Sequence, residues 1–263
     1  MRILRIALTF GVLILAWQTI VWVTQAEPYI LPGPTAVLVS WLSHYDLILD
    51  HTQTTATEIV VGLAVGTLLG VMSAIAIAQV RSVRRWLLPV LVISQAIPVF
   101  AIAPLLVLWL GYGMISKIAM ASLIIYFPVT VAFLDGLRRT EAGLLDLAAT
   151  MTAGVTNRQW AVLFYIRMPA ALPALGSGVR VAAAVAPIGA VVGEWVGSSS
   201  GLGYLMLHAN ARVQVDLMFA ALATLAVLAL SLYYAIDWVL RRSIPWQREH
   251  LPGEPNRPDR GKM

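Results

Sequence analysis

Repeated apolar stretches long enough to cross a lipid bilayer are what most limit the folds open to this chain. They are read at residues 4–23, 57–80, 87–110 and 115–134, a fifth beginning between 172 and 179 and ending near 196, and 217–240. A hydrocarbon core about 30 Å thick needs roughly 20 residues of helix. Backbone groups in lipid must be satisfied within the chain, which favours helices. The expectation is an all-α integral membrane protein of six transmembrane helices, one domain over 1–250, followed by a polar, Pro-rich tail at 251–263 that reads as disordered. Composition agrees, with 59% hydrophobic and 12% charged residues against about 25% charged in soluble domains. Arg2, Arg5 and Thr24-Gln25-Ala26 around the first span are reminiscent of a signal peptide, but the apolar run is longer than a signal core and reads as a retained helix.

Six spans put both termini on one side, and charge says which. Of 18 Lys and Arg residues, only Lys117, Arg180 and Arg212 fall outside one set of loops and ends, and the stretch 24–56 has none. Cytoplasmic flanks accumulate Lys and Arg, so both ends and the long inside loop 135–171 are expected to be cytoplasmic, with outside loops at 24–56, 111–114 and 197–216. Trp17, Trp22, Trp86, Trp109, Trp195, Trp238 and Trp246 lie near span ends, as interfacial anchors do. Net charge is +5, but the arginines sit in short groups between spans rather than in a basic stripe with interleaved aromatics, so nucleic acid is not an expected partner.

Gly62, Gly66 and Gly70 place three hydrogen-sized side chains on one face of the second span, a pattern for close helix packing. Pro89, Pro98 and Pro104 in the third span remove backbone donors and kink a helix. That span, with Ser94 and Gln95 as its polar pair, reads either as lining a translocation path or as a kinked structural helix. Enzyme chemistry finds no footing: there is no Cys, no nucleophile motif, no metal-ligand spacing and no phosphate-binding loop. No catalytic residue, metal site or bound cofactor is therefore expected. His44 and His51, beside Asp46 and Asp50, match no standard metal site and read as solvated loop polarity. A secondary transporter is the alternative class, but no inverted repeat and no mid-membrane coupling carboxylates are visible.

Ionisable residues inside spans are costly and so are functional candidates. Arg180 either snorkels to the inner interface, if the fifth span starts near 179, or is buried and needs a partner, if it starts at 172. Glu194 follows Pro187, Gly189 and Gly193, a sequence suited to a broken helix, and reads as lining a path or gate or as an ordinary interfacial carboxylate. Asp237 and Arg241 form an i,i+4 pair that reads as an anchor. In the inside loop, Asp146, Ala148 and Ala149 lie on a helical stretch with small residues. Gly154 permits a turn, and Trp160 to Ile166 forms a second amphipathic stretch closed by Pro169. Such a loop suits docking into another protein's groove, or lying on the membrane surface.

This loop resembles the signature of permease subunits of binding-protein-dependent ABC importers: Glu-Ala-Ala, then a Gly, then Ile-x-Leu-Pro. Asp146 stands near the family Glu but offset, and Thr156 rather than Gly154 falls at the Gly place when counting back from Ile166. Leu31-Pro32-Gly33-Pro34 is similar to the family's Leu-Pro-Ser-Pro, and Leu172-Pro173 through Arg180 to its entry into the fifth span. Ala186-Pro187-Ile188-Gly189, Gly193-Glu194-Trp195 and Gly201-Leu202-Gly203-Tyr204 resemble the branch serving nitrate, taurine, sulfonates and thiamine precursors. The resemblance implies a type I ABC importer permease fold in a bacterial inner membrane and a second copy of the subunit. It also implies an ATP-binding partner subunit carrying ATP and Mg, docked at Asp146, Ala148, Ala149, Gly154 and Arg158. An extracytoplasmic substrate-binding protein completes the set. Alternating access is the implied mechanism, with a hydroxymethylpyrimidine-like thiamine precursor as the first expectation for cargo and nitrate, taurine or an alkanesulfonate as alternatives.

Overall fold

The computed structural model describes residues 2–152 and 157–246, and among them every regular element is helical. In chain order these are α1 (Arg2–Thr24), α2 (Pro34–Ser43), α3 (Tyr45–Gln79), α4 (Arg81–Ser94), α5 (Val99–Leu110) and α6 (Met114–Arg138). Then come α7 (Ala142–Met151), α8 (Arg158–Val162), a single π-helical turn (Leu163–Arg167), α9 (Met168–Gly197), α10 (Leu202–Ala211) and α11 (Val215–Ser243). Gly154 and the tail 251–263 lie outside the described residues. α3, α6, α11 and the run Arg158–Gly197 are each long and apolar enough to cross a membrane. The pair α4 and α5, bent by 108°, counts as a fifth, broken span, and the apolar part of α1, Leu8–Thr24, is shorter than these, so by length and composition five of the six expected spans are seen among the described residues.

α6 runs through the middle, with α3 on one side and α9 on the other. Lipid offers no hydrophobic drive for helices to associate, so close van der Waals packing must hold them. Small residues supply it. A Cβ added at Gly62 would lie 2.6 Å from Ala121 Cβ, at Gly66 2.8 Å from Ile125 Cγ2 and at Gly70 2.9 Å from Val129 Cγ1. The three-glycine face of α3 thus lies directly on α6. On the other side, a Cβ at Gly189 of α9 would come within 2.8 Å of the Ala121 backbone. Ile59, Leu63, Ile125, Val129, Ala182, Ala186 and Ala190 fill the buried centre between the three helices.

Three expectations need correcting. The third span is not one kinked helix: the chain breaks between Ser94 and Val99, where Pro98 cannot donate to the preceding turn, and α5 turns sharply away from α4. The outside stretches 24–56 and 197–216 are largely helical, as α2, the first turns of α3 and α10. Hydropathy marks only lipid-length runs, whereas these helices are held by Ile48, Leu202, Leu205, Met206 and Leu217 packing on one another. Finally, Pro169 does not close the amphipathic stretch. It stands where the π-helical turn passes into α9 within one helical run from Arg158 to Gly197.

Candidate functional site

At the end of the bundle opposite the arginine-rich loops, three charged side chains from three helices meet. Glu58 of α3 and Lys117 of α6 form an ion pair, with side chains 0% and 3% exposed. Glu194 of α9, 1% exposed, lies against them. Its Oε1 accepts a hydrogen bond of 2.6 Å from the Thr55 hydroxyl, and its Oε2 accepts one from the Gly203 amide. The same Thr55 oxygen accepts the Leu202 N–H at 2.8 Å, and His51 Nδ1 accepts the Gly201 N–H at 2.9 Å. Lys117 Nζ also donates to Ser198 Oγ at 3.0 Å. α3, α6, α9 and the turn into α10 are thereby tied by one polar network.

That turn explains its own sequence. Gly201 sits at φ +114°, a conformation L side chains rarely adopt, and any Cβ there would run into the Glu194 carboxylate. A Cβ at Gly203 would fall 2.7 Å from Glu194 Oε2. Glycine at both places lets backbone amides close around a buried carboxylate, which is how such a charge is kept without water.

Towards the arginine-rich end, Arg180 of α9 resolves its two readings. The helix begins at Met168, so Arg180 lies well inside it, and its Nε sits 2.7 Å from Asp237 Oδ1 of α11. Arg241 Nε binds the other carboxylate oxygen at 2.8 Å. Asp237 is therefore more than the partner of an i,i+4 anchor, since it joins α9 to α11. Arg180 and Asp237 are each 18% exposed and Arg241 is 55% exposed.

Glu194 is enclosed within the subunit and bonded to Thr55 and Gly203. Ser94 and Gln95 lie at the break of the third span, Gln95 exposed and Ser94 donating to the Leu91 carbonyl at 2.8 Å. On α7, Asp146 is exposed and Ala149 half-buried, but Ala148 is turned into the subunit, and Leu144, Leu147 and Met151 form the outward face. Arg158, at the start of α8, lines a cavity described below. His51 serves the turn at Gly201, so it is not solvated loop polarity, and no group of three potential metal ligands occurs among the described residues.

Sequence reasoning missed Glu58 and Lys117. Both fall within predicted spans, so the rule that singled out Arg180 and Glu194 applies to them equally. Lys117 figures in the sequence reading only as one of three basic residues outside the arginine-rich loops and ends.

Comparison with known proteins gives a consistent picture. The family model for binding-protein-dependent transport system inner membrane components matches residues 66–248. The chain is 56% identical to the probable ABC transporter permease protein of Haemophilus influenzae, over 92% of this chain and 98% of that one. It is 35% identical to the formylaminopyrimidine transport permease protein of Halalkalibacterium halodurans, covering 88% and 92% of the two chains. It is also 35% identical to the riboflavin transport system permease protein of Chloroflexus aurantiacus, covering 93% and 90%. Among solved structures, an amino acid ABC transporter is similar in fold, with TM-score 0.61 and 14% identity over 78% of this chain and 97% of that one.

Proposed function

Since the chain belongs to the family of binding-protein-dependent transport system inner membrane components, the permeases of ABC importers, we propose how it works and what it carries. Two copies enclose a translocation path, an ATP-hydrolysing subunit that binds ATP and Mg docks at the cytoplasmic end, and a substrate-binding protein delivers cargo at the other. Both termini are cytoplasmic, following the Lys and Arg asymmetry.

The observation that carries this reading is α7. It stands at the arginine-rich end and leaves Leu144, Leu147 and Met151 uncovered on one face. A short helix with an uncovered apolar face on a protruding loop suits a groove in a second protein. We place the docking contact on that face and on Ala149, with Ala148 supporting it from within. A stripe of exposed residues on α9, Val181, Ile188 and Trp195, lies at seven-residue spacing and supports contact with a second copy.

The outer network and the glycine-lined contacts make α3, α6 and α9 one rigid unit, so alternating access proceeds by movement of whole subunits, the mode common among transporters built from packed bundles. Relatedness to a formylaminopyrimidine permease favours a pyrimidine thiamine precursor of the hydroxymethylpyrimidine type as cargo. The equally similar riboflavin permease makes riboflavin the competitor to test first.

Reconstitution with the partner ATPase and binding protein tests the whole reading. ATP-dependent uptake of hydroxymethylpyrimidine, and not of riboflavin, taurine or nitrate, is the expected result; uptake of another of these reassigns the cargo. Leu147→Arg and Ala149→Arg should release the ATPase on purification while leaving the membrane core assembled. Retained ATPase and full uptake in both would remove α7 from the docking contact.

A further inference from the structure

At the arginine-rich end, a cavity of about 540 Å³ opens between the end of α3, the start of α4 and α8. Arg81, Arg84, Arg158 and Arg167 line it, with Gln159 and Leu145, and among the described residues no carboxylate lines it. The Nε of Arg167, on the π-helical turn, is buried and has no hydrogen-bond partner among the described residues. Four like charges around one space repel one another and leave donors idle unless an anion joins them.

Its surroundings say what kind of anion. Trp86, Trp160, Phe164 and Tyr165 are exposed close by in sequence, and aromatic residues of this kind mark the headgroup level of a bilayer. From Arg81, α4 runs on with Pro89 and Val92 exposed on the same helical face. A cationic cup opening onto an apolar track matches a molecule with an anionic head and hydrocarbon tails. Basic pockets between membrane helices take acidic lipid headgroups by the same physics.

We propose that this cavity binds the phosphodiester headgroup of an anionic phospholipid, with the acyl chains lying along the exposed face of α4. The guanidinium groups suit the task, because each presents paired N–H donors to phosphate oxygens. An occupied site would join α3, α4 and α8 through the lipid and thereby couple the broken third span to the loop that carries α7.

Native mass spectrometry of the full-length subunit, purified with its partner chains from nanodiscs of mixed phosphatidylglycerol and phosphatidylcholine, tests this. The wild type should retain phosphatidylglycerol in preference to phosphatidylcholine. The Arg81→Gln/Arg167→Gln variant should bind it roughly 30-fold more weakly, from the usual contribution of each basic residue near an anionic surface. Arg242→Gln removes one charge at the end of α11, outside the cavity, and should leave retention unchanged. Millimolar inorganic phosphate should not displace the lipid, because the acyl chains contribute to binding. The proposal is overturned if Arg242→Gln weakens retention as much as the double variant does. It is equally overturned if inorganic phosphate competes the lipid away, which would make a soluble anion the ligand. Should the double variant not fold, absence of any phosphatidylglycerol preference in the wild type overturns it alone.

Discussion

The two ionic clusters of this subunit use the same kinds of residue and differ in how completely the protein surrounds them. In the outer network, Glu58, Lys117 and Glu194 are almost wholly enclosed, with hydroxyl and amide donors on the Glu194 carboxylate and the Lys117 ammonium as the partner of Glu58 among the described residues. In the inner cluster, one carboxylate, Asp237, is shared by two guanidinium groups and stays partly open. Burial raises the stakes of an ion pair in both directions: breaking it strands a charge, whereas an open pair can be solvated and re-formed. The outer cluster is therefore read as a fixed joint between α3, α6 and α9. The inner one is read as an adjustable contact between α9 and α11.

The contrast is broken most severely by Lys117→Met, which leaves two carboxylates enclosed without their cation. A loss of about 3–5 kcal/mol is expected, seen as a collapse of thermal stability of the purified transporter in detergent. Gly201→Ala comes next. It forces a side chain into both an unfavourable φ and the space of the Glu194 carboxylate, and should cost about 1–3 kcal/mol by the same melting assay. Thr55→Val keeps the shape but removes the hydroxyl between Glu194 and the Leu202 amide, and roughly 1–3 kcal/mol should follow. At the inner cluster, Arg180→Gln should shift stability by only about 0–1 kcal/mol while altering ATP-driven uptake. If its melting loss matches that of Lys117→Met, the two clusters are not different in kind.

Much of this was legible in sequence, and what was not has physical causes. Spans, glycine face and family followed from patterns local in the chain. The partner of Arg180 did not, because Asp237 is 57 residues away and no spacing rule links separate helices. Glu58 was legible in principle, as a carboxylate inside a predicted span. Its role was not, since that depends on Lys117 and Glu194 arriving from two other helices. The break after Ser94 was hinted at by Pro98, but a proline indicates a kink without giving its angle. The glycines at 201 and 203 matched the family pattern; only the structure shows that they make room for Glu194.

The most direct measurement is of distances within and between subunits during the ATP cycle. The chain has no Cys, so nitroxide labels can be placed cleanly at Gln53→Cys and Ser199→Cys, both exposed and flanking the outer network. In complexes that pair one doubly labelled copy with an unlabelled one, pulsed electron resonance should give the same distance distribution without nucleotide and with ATP bound. The Ser199-to-Ser199 distance between two singly labelled copies should change by several ångströms. A shift of the Gln53–Ser199 distance with ATP, while the distance between copies stays fixed, would contradict a rigid α3–α6–α9 unit moving as a whole.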